Sequence, residues 1–259
     1  MKSRISRKFA ELRKERGKAF IPYIMAGDPD ARRTEELVHI LEDCGADLIE
    51  LGVPFSDPLA DGPTIQAAAK RALDGGTTLH TVIGTVASLR KRTQIPIILM
   101  TYYNPIFKYG DERFVEDAVS AGADGVIIPD LPPEEAERLI AHAKKRPFET
   151  IFLLAPTSTE ERIKKVARAS RGFIYYVSIT GITGTKLSLD SSIDAHIAHI
   201  RSVSGTPIAV GFGISTPQEA SMVAGFADGV IVGSAIVKQI NAPDEELKRY
   251  LLSLRAGIS

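Results

Sequence analysis

DERFVEDAVSAGADGVIIPDLPPEEAERLIAHAKK, from Asp111 to Lys145, contains one complete structural unit with both of its joints. Phe114, Val115, Ala118 and Val119 recur at the three- and four-residue spacing that gives a helix one apolar face. Gly122 ends that helix, and Ala123-Asp124 turn the chain straight into an apolar run that Pro129 closes. Two prolines and two glutamates open the next helix and two lysines end it, the order that the helix dipole favours. A helix, a tight turn, a strand and another helix therefore follow one another without slack.

The unit repeats. Gly45-Ala46-Asp47, Gly122-Ala123-Asp124 and Gly225-Phe226-Ala227-Asp228 each follow a helical segment and each launches an apolar strand. Runs rich in β-branched residues occupy Phe20–Met25, Asp47–Val53, Ile95–Tyr102, Asp124–Pro129, Thr150–Leu154, Phe173–Ser178, Pro207–Phe212 and Asp228–Val232. Strands alternating with helices form a parallel sheet. Eight such units closed on themselves predict an α/β fold, a (β/α)8 TIM barrel; a doubly wound sheet is the alternative, and the even phasing disfavours it. No linker interrupts the 259 residues, so residues 1–259 are expected to be a single barrel domain.

Composition narrows the function. The chain is 44% hydrophobic and carries 32 basic and 32 acidic side chains. A net charge of zero argues against a general nucleic-acid binder or a polybasic membrane anchor. No run approaches the length of a membrane span. The one cysteine, Cys44, sits at a helix end and reads as packing; a chain without disulfides fits the reducing cytoplasm. Residues 1–18 hold eight basic side chains against Glu11 and Glu15. Ile5, Phe9 and Leu12 place one apolar stripe on that segment, which predicts an extra N-terminal helix plugging the barrel; a cleaved leader is the lesser alternative.

Long loops are expected after strand two and strand six, both leaving the C-terminal face where barrel active sites lie. The strand-seven and strand-eight ends carry Gly211-Phe212-Gly213 and Gly233-Ser234. Glycines there let backbone N–H groups approach an anion at helix N-termini, which predicts a phosphate site with Gly184 as a further contact. Thr216, Pro217 and Glu219 read as a capping box.

Two acids stand out in ELGVPFSDPLADGPTIQ, Glu50–Gln66. Strand parity points Glu50 into the barrel, where burial would raise its pKa into the range useful for proton transfer. Asp61 lies in the loop and is either a functional carboxylate or the N-cap of the helix starting at Pro63. Asp57 reads as a turn residue; Asp28 and Asp130 precede proline-marked helix starts and read as caps. No strand core holds a lysine for a Schiff base. His39, His80, His142, His196 and His199 lie in helices or their approaches, without a metal-ligand motif, so no metal is expected. Carboxylate acid–base chemistry on a phosphorylated substrate remains, with apolar walls from Tyr23, Met100, Ile127, Tyr175 and Phe212.

ELGVPFSDPLADGP, together with GITGT, GFGIS, VGSAIV, IPYIMAGDP, LMTYYNP and IIPDLP, resembles the α subunits of tryptophan synthase, in order along nearly the whole chain. The resemblance implies retro-aldol cleavage of indole-3-glycerol phosphate to indole and glyceraldehyde 3-phosphate. It implies Glu50 as the general acid–base group, Asp61 as the acceptor of the indole N–H and Thr183 as its partner on loop closure. It implies Gly184, Gly213, Gly233 and Ser234 as phosphate contacts. Tyr23, Met100 and Ile182 replace phenylalanine, leucine and valine of some members. The implied partner is a pyridoxal-phosphate β subunit in an α–β–β–α heterotetramer, met by Pro54–Pro58 and Asn104–Gly110; this chain itself would carry no cofactor. A stand-alone indole-releasing lyase and an idle, partner-activating barrel are the other readings.

Overall fold

The computed structural model describes residues 3–177, 191–211 and 213–258. The elements run α1 (Arg4–Glu15), β1 (Ala19–Met25), α2 (Ala31–Asp43), β2 (Ile49–Gly52), α3 (Pro63–Asp74), α4 (Leu79–Leu89), β3 (Ile97–Met100), α5 (Tyr103–Tyr109), α6 (Asp111–Ala121) and β4 (Gly125–Ile127). They continue with α7 (Glu137–Ala143), β5 (Glu149–Ile151), β6 (Leu153–Leu154), α8 (Glu160–Ala169), β7 (Ile174–Val177), α9 (Ser191–Val203), β8 (Ile208–Gly211), α10 (Pro217–Phe226), β9 (Gly229–Val232), α11 (Ser234–Gln239) and α12 (Asp244–Ile258).

The strands form one parallel sheet in the order β5-β4-β3-β2-β1-β9-β8-β7-β6. β5 and β6 are consecutive pieces of one run, broken at Phe152, and they pair outward with β4 and β7 respectively. The chain itself thus closes the barrel, and the eight expected strands appear as nine segments. Most are shorter than the apolar runs that announced them. Burial continues past the ladder, as at Leu48 and Val53, and apolar composition reports burial rather than pairing.

Strand parity sorts the core. Phe20, Ile24, Ile49, Leu51, Ile97 and Leu99 pack outward against the helices. Ile21, Leu48, Ile98, Ile127, Phe173 and Ile231 fill the interior, joined there by Ile5, Phe9 and Leu12 of α1. The N-terminal helix is therefore the expected plug. Its Phe9 ring meets Phe173 at 5.6 Å between centroids. Full burial of each of its three apolar side chains contributes about 1.5–3 kcal/mol, more than the propensity of so basic a helix provides.

The Gly-Ala-Asp joints have a common physical cause. Asp47, Asp124 and Asp228 each accept the N–H of the adjacent strand, from Phe20, Ile97 and Ile208, every one at 2.9 Å. Each also pairs with an arginine: Arg255 at 3.1 Å, Arg90 at 2.7 Å and Arg201 at 3.0 Å. These carboxylates stitch strand to strand at the N-terminal end of the barrel. Among the described residues, no helix is long and apolar enough to cross a membrane.

Candidate active site

At the other end of the barrel, β1 and β2 run in register with Tyr23 opposite Glu50. Both side chains face inward, as the alternation of β2 requires. Glu50 is 1% exposed, and neither carboxyl oxygen has a hydrogen-bond partner among the described residues. Desolvation alone pushes its pKa up to about 8. A carboxylic acid at this site is protonated at neutral pH and can both give and retrieve a proton.

The neighbouring phenols make room by meeting glycine. A Cβ on Gly52 would lie 2.2 Å from the Tyr23 hydroxyl, and one on Gly211 would lie 2.5 Å from that of Tyr175. Burial first, then the nearby carboxyl groups of Asp61 and Glu50, keeps the Tyr23 phenol protonated. Tyr175 is held the same way, with Glu50 the foremost charged neighbour. Met100 bridges the interior layer and a smaller cluster at the mouth, where Tyr23 and Met25 meet Ala68, Ala69 and Ala72 of α3. Ile127 sits deeper, in the layer that α1 plugs.

Asp61 is half-buried in the loop between β2 and α3. It is not a helix cap: the N-cap of α3 is Gly62, with no side-chain cap bond. Burial raises the Asp61 pKa, and the neighbouring Tyr102 hydroxyl opposes that rise. Two other acids also depart from their expected capping roles. Asp28 is fully buried and bonds Arg71 of α3 through both oxygens, at 2.7 and 2.8 Å; the cap of α2 is Asp30. Asp130 accepts the first N–H of α5, from Tyr103 at 2.9 Å, and so caps a helix earlier in the chain. Asp57 is an exposed loop residue beside Ser56, as expected. Cys44 is buried at the end of α2. His196 turns its ring to the Tyr176 hydroxyl and His199 pairs with Glu160, away from the mouth.

Glycines shape the mouth opposite Glu50. Gly213 takes φ +78°, a conformation that favours glycine. Gly233 is the N-cap residue of α11 and Ser234 its first residue. The two helix starts here differ. At α10, Thr216 and Glu219 form the expected capping box, and Glu219 also accepts from the Ser215 N–H at 2.8 Å. At α11 the N-cap is Gly233, with no side-chain cap bond among the described residues. Thr183, Gly184 and Phe212 lie outside the described residues, as does the loop after the sixth expected strand.

Sequence reasoning missed Tyr102, Arg71 and Gln66. The signal for Tyr102 was present, since it shares strand parity with inward-facing Ile98 and Met100.

The family model described as tryptophan synthase alpha chain matches residues 9–256. The chain belongs to that family. A tryptophan synthase alpha chain of Geotalea daltonii is 54% identical over 99% of both chains. That of Geobacter sulfurreducens is 55% identical over 91% of this chain and 89% of its own. The crystal structure of tryptophan synthase subunit alpha from Legionella pneumophila superposes with a TM-score of 0.92 at 40% identity, covering 100% of this chain and 99% of the other. A Mycobacterium tuberculosis tryptophan synthase structure gives 0.93 at 36% identity, covering 100% and 99%. The tryptophan synthase alpha chain is a carbon–carbon lyase. It cleaves indole-3-glycerol phosphate reversibly to indole and glyceraldehyde 3-phosphate, in complex with a β subunit that takes the indole and carries the pyridoxal phosphate.

Proposed function

We propose that Glu50 performs both proton transfers of this cleavage and that Asp61 holds the indole nitrogen. The observation that carries the proposal is the buried Glu50 carboxyl, without a hydrogen-bond partner among the described residues and with its pKa raised to about 8. Starting protonated, Glu50 gives its proton to the indole ring carbon that bears the glycerol chain. The ring nitrogen then carries the positive charge, which the Asp61 carboxylate stabilises through the N–H. Glu50, now ionised, takes the proton of the hydroxyl on the adjacent side-chain carbon. That carbon–oxygen bond becomes a carbonyl, the carbon–carbon bond breaks, and its electrons restore the aromatic ring. The proton count closes and Glu50 returns to its starting form. The protonated indole is the electron sink, so the step asks for no Schiff base.

Tyr23, Met100, Ile127, Tyr175 and Phe212 form the indole pocket in this reading. Gly184, Gly213, Gly233 and Ser234 bind phosphate, with the uncapped start of α11 supplying N–H donors and partial positive charge. Thr183 meets Asp61 when the loops close. All of residues 1–259 act as one barrel domain in the cytoplasm, and α–β–β–α is the assembly. Leu59 and Phe107, 89% and 63% exposed, supply apolar surface on the loop face for the β subunit. The test is Glu50→Gln, which keeps shape but neither gives nor takes the proton. Indole formation should fall by about 10²–10⁴ with phosphate affinity retained, and turnover close to wild type would refute the assignment.

A further inference from the structure

We propose that Tyr102 is the positioning residue for Asp61: its hydroxyl ties the end of the β2–α3 loop to the barrel rim and holds the Asp61 carboxylate at the mouth. The proposal rests on the reading of Asp61 as the acceptor of the indole N–H. The loop needs such a tie. Among the described residues, the backbone N–H groups of residues 54–61 make no bond to another backbone group, and Leu59 is 89% exposed. Side chains instead hold the stretch around Asp61. Gln66, in the first turns of α3, donates to the Asp61 carbonyl oxygen at 2.7 Å. The Tyr102 hydroxyl accepts the Ala60 N–H at 2.9 Å. Its proton is then free to face the carboxylate of the next residue, Asp61, which acts on it electrostatically.

Tyr102 is suited to the task because it cannot move far. It follows β3 directly and is 4% exposed, and its ring packs on Phe55 at 5.4 Å. The Phe55 contact grips the start of the loop while the hydroxyl grips its end. A free loop would have to be ordered at each encounter with substrate, whereas a tied one presents its carboxylate already aimed. The titratable groups facing Asp61 are Tyr102, Tyr23 and Tyr175, with Glu50 acting on the latter two and Asp130 on Tyr102. Of these, the Tyr102 hydroxyl is the one that favours the ionised Asp61 carboxylate.

Tyr102→Phe keeps the ring contact and removes only the hydroxyl. In the ligand-free protein, amide hydrogen exchange at Ala60 should quicken at least tenfold, and the Asp61 carboxyl, followed by carbon-13 resonance, should titrate at higher pH. In the complex with the β subunit, kcat/KM should fall roughly tenfold or more, as expected for a lost polar contact with a charged group. The loss should vanish when Asp61→Asn is already present. Unchanged Ala60 exchange and an unchanged Asp61 midpoint would overturn the proposal, as would an equal loss in both backgrounds. Full activity of Asp61→Asn alone would instead strike the underlying reading of Asp61, while exchange and titration still report on the tie.

Discussion

Asp47 and Glu50 are three residues apart, and their surroundings give them opposite work. Asp47 accepts the Phe20 N–H and pairs with Arg255 and Lys8, at 3.1 and 3.9 Å. Glu50 has no such partner among the described residues and rises from the ordinary 4.5 to about 8. Because the protonated form starts the proposed mechanism, kcat/KM should decline as pH rises past about 8, a limb measurable with the isolated chain and with its complex. Stability follows the same sign. Between 4.5 and 8 the folded chain holds a proton that the unfolded chain has lost, so burying Glu50 adds no ionisation-linked cost below that window and is increasingly destabilising through it. Denaturant titrations of wild type and Glu50→Gln should therefore diverge with rising pH, the glutamine variant becoming the more stable. For the proposed phosphate site, Gly233 offers a cleaner probe than Gly213, whose φ of +78° would strain any side chain. A Cβ on Gly233 meets nothing closer than 3.7 Å. Gly233→Ala should keep its melting temperature yet bind glycerol phosphate at least tenfold more weakly, because the methyl group stands where the anion approaches; equal affinity would move the phosphate elsewhere.

The Gly-Ala-Asp repeat joins element to element. Asp124 is the most committed of its three carboxylates: it holds the Ile97 N–H, Arg90 at 2.7 Å and Arg4 at 3.0 Å, and is 2% exposed on its side chain. Asp124→Ala leaves the half-buried Arg90 guanidinium without its carboxylate partner and the Ile97 N–H without its acceptor. It should cost about 3–5 kcal/mol in denaturant unfolding, while folded molecules keep their turnover because the mouth lies at the opposite end. The joints themselves were readable in the sequence, since a glycine, a small residue and an acid between two hydrophobic periods are local facts. The partners of the acids were not. Asp28, Asp61 and Asp130 all look like caps to a local reading, and none caps the helix that follows it, because Arg71, Tyr102 and the α5 N-terminus reach them across the fold. Glu50 was legible because strand parity is local and burial alone determines its chemistry. Tyr102 was not singled out because its value lies in a contact with Ala60, 42 positions earlier in the chain.

At the scale of the molecule, one end of the barrel provides stability and the other carries the proposed chemistry. The α1 plug and the aspartate–arginine pairs occupy the first, and Glu50, Asp61 and the glycine turns occupy the second. The break at Phe152 adds a division in the other direction. Among the described residues β5 ladders with β4 and β6 with β7, so the ladder runs from β5 through β1 to β6, and the continuous chain spans the remaining seam together with one bond from the Arg171 N–H to the Thr150 carbonyl at 2.9 Å. Pro156 and Thr157, just beyond it, are exposed. The seam also separates the proposed labour: Glu50, Asp61 and Tyr102 precede it, and Gly213, Gly233 and Ser234 follow it. A chain severed after Thr157 would lose no strand pairing, only the covalent link. Co-expressed, residues 1–157 and 158–259 should zip together along β1–β9 and β6–β7 and recover indole formation, while neither half alone should release indole. The enzyme would then behave as two complementing pieces, one bearing the proton and the other the grip on phosphate.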